Sequence, residues 1–136
     1  MKTLLSEKFA ANTLLTIFAL LGIFHLLMLF NLLPENIVWG GGAVGSNTNF
    51  RLLETISLVV TLIYGVIVAV RVGYLSLHRF KRTITALLWF MFAYLLFNTV
   101  GNLASSSSTE RWVLTPVTIL AALLVLRLLL IKKIPT

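Results

Sequence analysis

Cysteine is absent from this chain of 136 residues, which excludes disulfide staples, thiolate metal sites and cysteine nucleophiles and leaves the redox compartment unmarked. Charge is nearly as scarce. Asp, Glu, Lys and Arg together make up 11% of the residues, against about 25% in an ordinary soluble domain, and so few charges cannot supply a solvated surface around one core. Acids are the rarer sign, four against eleven Lys plus Arg. What fills the chain is apolar: the hydrophobic share is 59% and the mean hydropathy is +1.01. Lipid is the exterior that suits such a composition.

Four stretches carry almost no charge and reach the length of about 18–20 residues that spans a roughly 30 Å hydrocarbon layer. They run from Phe9 to Leu33, from Leu52 to Val70 with an extension to Leu77 if Arg71 snorkels, from Thr83 to Ala104, and from Trp112 to Ile131. Taken with their flanks, the spans are 9–33, 52–77, 83–104 and 110–131. Lipid-exposed backbone must bond itself, and the runs are too long for barrel strands. The expected fold is all-α, a single domain that forms a four-transmembrane-helix bundle with short loops. The first run follows a short basic start, yet its apolar part exceeds the roughly 7–15 residues of a signal peptide and no small-x-small cleavage site follows Leu33. A retained span is expected.

A net charge of +7 would ordinarily suggest nucleic acid, but the positions of the charges argue otherwise. If the spans alternate, Lys2, Lys8, Arg71, Arg79, Lys81, Arg82, Arg127, Lys132 and Lys133 share one side with Glu7, nine minus one giving +8. The other side holds Arg51, Arg111, Glu35, Glu54 and Glu110, two minus three giving −1. The rule that basic loops stay inside predicts that both termini are cytoplasmic. The basic residues then meet anionic lipid headgroups, and no nucleic-acid partner is expected.

Polar residues inside a span are costly and normally face the bundle interior or a cavity, so their phase is informative. Glu54, Ser57, Thr61 and Gly65 recur every three or four residues with Tyr64 adjacent; Tyr94, Asn98 and Asn102 recur every four with Gly101 beside them; Arg111, Thr115, Thr118 and Ala122 form a third line. The first span offers Gly22 and His25, the latter roughly 12 Å below its outer end. These groups could converge on an outward-facing pocket with His25 and Tyr64 as floor, Asn98 and Thr115 as wall, and Glu54, Asn102 and Arg111 at the mouth. The plainer alternative is that they only bond one another across helices, with Glu54 in the headgroups beside Arg51.

The individual residues carry alternatives of the same kind. Histidine changes charge near neutrality, which makes His25 a candidate proton carrier or simply a hydrogen-bonded bundle residue. Gly65-x-x-x-Ala69 reads as a close helix contact, and Trp39, Trp89 and Trp112 as interface anchors. Ser107 and Glu110 fit a capping box, while Pro116 should kink the last helix. His25 with Glu54 is too small a set for a metal site, and no cofactor is implied. The string Gly40-x-Gly42-x-x-Gly45 matches the dinucleotide fingerprint but lacks its strand and helix context. Its glycines imply a folded loop that could hold Trp39 over the bundle mouth, as a lid or as an ordinary turn.

Three segments carry a family resemblance: Pro34 to Gly41 after the first span, Glu54-Thr55-Ile56-Ser57 in the second, and Asn98-Thr99-Val100-Gly101-Asn102 ending the third. They resemble a family of small, uncharacterised four-span bacterial integral membrane proteins, over most of the chain. In those relatives a basic residue tends to follow the Trp-Gly-Gly, where this chain has Gly42. The resemblance implies the four-span fold and brings no activity with it.

Three functions fit these observations. First in order is a non-enzymatic module that binds a small molecule or lipid in the outer pocket, with His25, Trp39, Glu54, Ser57, Thr61, Tyr64, Asn98, Asn102, Arg111 and Thr115 as candidate lining. A homo-oligomeric channel or transporter follows, and then an accessory subunit of a larger membrane complex. An enzyme with Glu54 and His25 as acid and base comes last, since the spacing offers no nucleophile. The topology predicts that Ser46→Cys and Ser106→Cys react with a membrane-impermeant thiol reagent added outside intact cells. Protection of both would reverse the orientation.

Overall fold

The computed structural model describes residues 6–42 and 47–131, so Lys2, Gly45, Ser46, Lys132 and Lys133 of the sequence reading lie outside the described residues. Within them the chain is all-α, with no strand. The first helix, α1 (Glu7–Leu29), starts where the Ser6 hydroxyl accepts the Phe9 amide at 3.1 Å, a side-chain N-cap. It ends four residues before the apolar run does. Asn31 takes a φ of 55°, its N–H bonds the Met28 carbonyl at 3.0 Å, and the Leu32 N–H bonds the Leu27 carbonyl at 2.9 Å. A left-handed residue that closes these two bonds terminates a helix whatever the hydrophobicity beyond it.

The second helix, α2 (Asn47–Arg71), stops in the same way. Gly73 has a φ of 84°, with bonds from Gly73 N–H to Val70 at 3.2 Å and from Tyr74 N–H to Ala69 at 2.9 Å. The expected extension to Leu77 is therefore not helical, and Leu77 lies in the connection to α3 (Lys81–Ala104). The last helix, α4 (Thr115–Leu130), is entered through a π-turn over Glu110–Leu114. There the Thr115 N–H reaches back five residues to the Glu110 carbonyl, which also accepts the Thr115 hydroxyl at 3.1 Å. Pro116 has no amide to donate, so the expected kink takes the form of this widened turn.

Counted with that turn, the four helices are each long and apolar enough to cross a membrane. Their outer faces carry exposed Phe30, Leu62, Phe97, Trp112 and Leu123, as a lipid-facing surface requires. In the ring, α1 packs broadly on α2 and α3 on α4, while α1 also meets α4 and the α2–α3 seam is the sparsest. One core, nearer the termini, is built from all four helices around the fully buried Leu14, Val68, Leu88, Met91, Val125 and Leu128. Ala10, Ala11, Ala121 and Ala122 are buried in it, small residues of the kind that let membrane helices approach closely. Gly65 does not act this way, because a methyl added there would meet nothing within 4 Å. A second, smaller core of Met28, Val38 and Phe50 lies at the loop end.

Arg71 fastens the terminal end of the bundle. Its guanidinium donates to the carbonyls of Leu128 at 2.8 Å and Ile131 at 3.1 Å and lies 3.6 Å from the Glu7 carboxylate. One side chain on α2 thus caps α4 and meets the start of α1. Arg71→Ala should lower unfolding stability by about 1.5–3 kcal/mol, the range for hydrogen bonds to a charged group, and Arg71→Lys should recover little because the shorter side chain, with one charged nitrogen, cannot serve both carbonyls and Glu7 together. Thermal unfolding in detergent measures this, and an unchanged midpoint in Arg71→Ala would refute it.

Candidate functional site

Glu54 sits two turns into α2, where the phase of its stripe turns it inward, and it is 1% exposed. Its Oε2 lies 2.7 Å from Nδ1 of His25 on α1. Its Oε1 accepts the indole N–H of Trp39 at 2.7 Å. Because α1 ends at Leu29, His25 lies about 6 Å from the helix end at 1.5 Å per residue, shallower than the sequence implied and level with Glu54. An isolated buried carboxylate costs several kcal/mol; two charge-assisted bonds, about 1.5–3 kcal/mol each, offset that cost. Glu54 is therefore interior, not in the headgroups beside the exposed Arg51.

Trp39 is held from its other side as well. Its backbone is left-handed at φ 54°, followed by Gly40 at 70° and Gly41 at 73°. Glycine accepts this conformation freely, but for a bulky residue it costs about 1–3 kcal/mol and persists only when the surroundings enforce it. Glu110 does so. Its Oε1 accepts the Trp39 amide at 2.6 Å and its Oε2 the Gly40 amide at 2.9 Å. Successive amides in such a turn form a concave anion cradle, and here the anion is the chain's own carboxylate. Two charge-assisted bonds outweigh the strain.

The serines at the end of α3 complete this clasp. Ser105 donates its hydroxyl to Glu110 Oε2 and accepts the Ser107 amide at 3.0 Å. Ser106 donates to the Gly40 carbonyl at 2.7 Å, and Ser107 donates to the Ile37 carbonyl. The expected capping box is half formed: the Ser107 hydroxyl accepts the Glu110 amide at 3.3 Å. The Glu110 carboxylate does not return to Ser107 but crosses to the loop after α1. Gly41 fits because a methyl there would stand 2.8 Å from the Ser106 hydroxyl, on a backbone already at positive φ.

Below this clasp the four helices leave a cavity of about 150 Å³. Its walls divide by chemistry. α2 and α3 contribute Glu54, Ser57, Thr61, Tyr64, Tyr94, Asn98 and Asn102, whereas α1 and α4 contribute mainly Phe18, Leu21, Phe24, Leu114 and Val117. From Glu54 to Tyr64 is ten residues, about 15 Å along the axis, so the cavity is a slot, polar along α2 and α3 and mainly apolar opposite, where His25, Glu110 and Thr118 are the exceptions. Its deep end is closed by Tyr64, whose ring meets Phe18 and Tyr94, both at centroid distances of 5.9 Å. The Tyr64 hydroxyl is buried there without a hydrogen-bond partner among the described residues.

Of the candidate lining residues, His25, Trp39, Glu54, Ser57, Thr61, Tyr64, Asn98 and Asn102 meet in this slot. Arg111 and Thr115 do not. Arg111 is exposed and donates to the Ser105 carbonyl at 2.6 Å, capping the end of α3, and Thr115 is buried against the Glu110 carbonyl. The floor is Tyr64 without His25, which lies higher beside Glu54. Cross-helix bonding also occurs, between His25 and Glu54 and between Thr99 and Thr118 at 2.8 Å, but the Asn98 amide bonds the Tyr94 carbonyl of its own helix. Sequence reading missed Glu110 as a lining residue. Its capping-box position gave a local role that concealed its bonds to residues 70 and 71 positions away.

Compared with known proteins, the chain matches no family model, no curated protein and no solved structure. The geometry alone carries the functional reading. Glu110→Gln keeps the shape and removes one acceptor oxygen, so the Trp39 and Gly40 amides should exchange hydrogen about 10- to 100-fold faster, equivalent to about 1.5–3 kcal/mol. Hydrogen exchange by mass spectrometry over the loop reads this directly; unchanged protection would mean that Glu110 does not hold the turn.

Proposed function

We propose that this is a small integral membrane protein that binds a small molecule or lipid component in a pocket open toward the extracytoplasmic side. The observation that carries the reading is the convergence of residues from all four helices on one slot with a buried carboxylate at its polar end. Polar groups inside a bilayer span are expensive, and here Ser57, Thr61, Asn98 and Asn102 line a space, while Glu54 and Thr118 also bond across helices. Concave sites lined mainly by apolar and aromatic groups with a few fixed polar atoms are the usual form of ligand pockets.

Binding fits this geometry better than conduction through one protomer. Beneath Tyr64 the axis is filled by Leu14, Val68, Leu88 and Met91, all fully buried, so the slot has one closed end. Orientation in this reading follows the basic residues. Lys8, Arg71, Arg79, Lys81, Arg82 and Arg127 fall toward the helix ends opposite the clasp, which supports cytoplasmic termini and a slot near the outer surface.

The test uses protein purified in the mildest detergent that keeps it folded, followed by extraction and mass spectrometry of whatever small molecule travels with it. Wild type should carry a stoichiometric compound. Ser57→Phe, which fills the slot from α2, should carry none while it keeps its thermal midpoint within a few degrees. Equal retention by both proteins would reject the pocket.

A further inference from the structure

The charge balance of the slot selects its ligand. Glu54 and Glu110 both line it, at 1% and 8% exposure. The one base in the lining is His25, and no lysine or arginine lines it among the described residues. The slot therefore presents two carboxyl groups and neither an ammonium nor a guanidinium. The nearest guanidiniums are turned elsewhere: Arg111 is exposed and spends its donor on the Ser105 carbonyl, and Arg51 is exposed on the face of α2. An anionic ligand would lie against two carboxyl groups in a low-dielectric interior, which is unfavourable. A cation would be drawn to them.

The walls narrow the choice further. Phe18, Phe24, Trp39, Tyr64 and Tyr94 all line the slot, and the face of an aromatic ring attracts an organic cation by about 0.5–2 kcal/mol. A bare metal ion would need a shell of oxygen or nitrogen donors, yet no cluster of three or more His, Cys, Asp or Glu occurs among the described residues. A volume of about 150 Å³ is that of a cavity known to accept one benzene-sized molecule. At the deep end the Tyr64 hydroxyl is unpartnered, with the residue 7% exposed. Its side chain leans toward the start of α2, because the Cα–Cβ bond of a helical residue tilts toward the N-terminus. That direction is up the slot, toward Glu54.

We propose that the slot takes a small lipophilic organic cation, an ammonium on an aromatic or alkyl body, with the ammonium below Glu54 and the body directed toward Tyr64. This rests on the binding reading above and adds the sign of the ligand's charge. The carboxylate of Glu54 has one partner on each oxygen, and a carboxylate offers about four lone-pair sites. It can face a cation without releasing His25 or Trp39.

Three probes of similar shape test the charge: benzylammonium, its uncharged carbon analogue ethylbenzene, and the anion phenylacetate. Each is titrated against the whole chain in nanodiscs, with thermal stabilisation and calorimetry as readouts. The cation should bind about tenfold or more tightly than the neutral analogue, the size of one charge-assisted contact, and the anion should not bind. Glu54→Gln should remove that preference. 4-Methoxybenzylammonium, which adds an acceptor at the far end, should gain about two- to tenfold and lose the gain in Tyr64→Phe. Equal affinity for the cation and the neutral analogue overturns the cation assignment and leaves the pocket standing. No binding of the cation to wild type overturns it too, and the pocket then stands or falls on the co-purification with Ser57→Phe. Should Glu54→Gln not fold, the cation and neutral probes on wild type still decide the question.

Discussion

Trp39 is gripped by two buried carboxylates, its indole by Glu54 and its backbone by Glu110, and the loop end of the bundle depends on that grip. Without Glu110 nothing compensates a tryptophan in the left-handed region. Without Trp39, Glu54 keeps only His25 against the cost of burial. Each acid makes the other's position tenable, and between them they join the start of α4, the loop after α1 and the inner face of α2. The slot below is bordered by this clasp at its upper end, while the helix cores fill the lower one.

Much of this was legible in advance because a helix imposes a period. Ser57, Thr61 and Tyr64 follow Glu54 at helical spacing, as Asn102 follows Asn98, so a shared lining is readable from the sequence. Helix ends were harder, since the apolar run continues through the residues that stop the helix. Asn31 and Gly73 act by backbone conformation; Asn and Gly are residue types that accept it, so the sequence marks the stop at Asn31, while hydropathy alone runs past both. Arg111 has the right phase for the slot but sits at a helix start, where the carbonyl of Ser105 competes for its guanidinium. Glu110 was hidden for the opposite reason: its local pattern explained it too well. The bonds from its carboxylate to Trp39 and Gly40 join distant parts of the chain, and nothing in either segment alone points to the other.

The division of the slot into a polar and an apolar wall also follows from membrane physics. α2 and α3 carry the polar stripes and share the sparsest seam, whereas α1 and α4 present large apolar side chains to the same space. A packed α2–α3 contact would have had to satisfy Ser57, Thr61, Asn98 and Asn102 against one another. Leaving the seam open leaves those groups available to whatever enters. The unpartnered Tyr64 hydroxyl is the deepest instance of that arrangement.

Arg71 gives the bundle mechanical asymmetry. It pins α2 to α4 at one end, while the clasp at the other end is made of hydrogen bonds to a single loop. From Arg71 to Glu54 is seventeen residues, a lever of about 25 Å at 1.5 Å per residue. Tilting α2 by about 5° around the pinned end displaces Glu54 by about 2 Å, roughly the margin that separates a hydrogen bond from none. The fold is thus geared: an angular change too small to disturb the core at the fulcrum is enough, at the far end of the arm, to separate Glu54 from its partners.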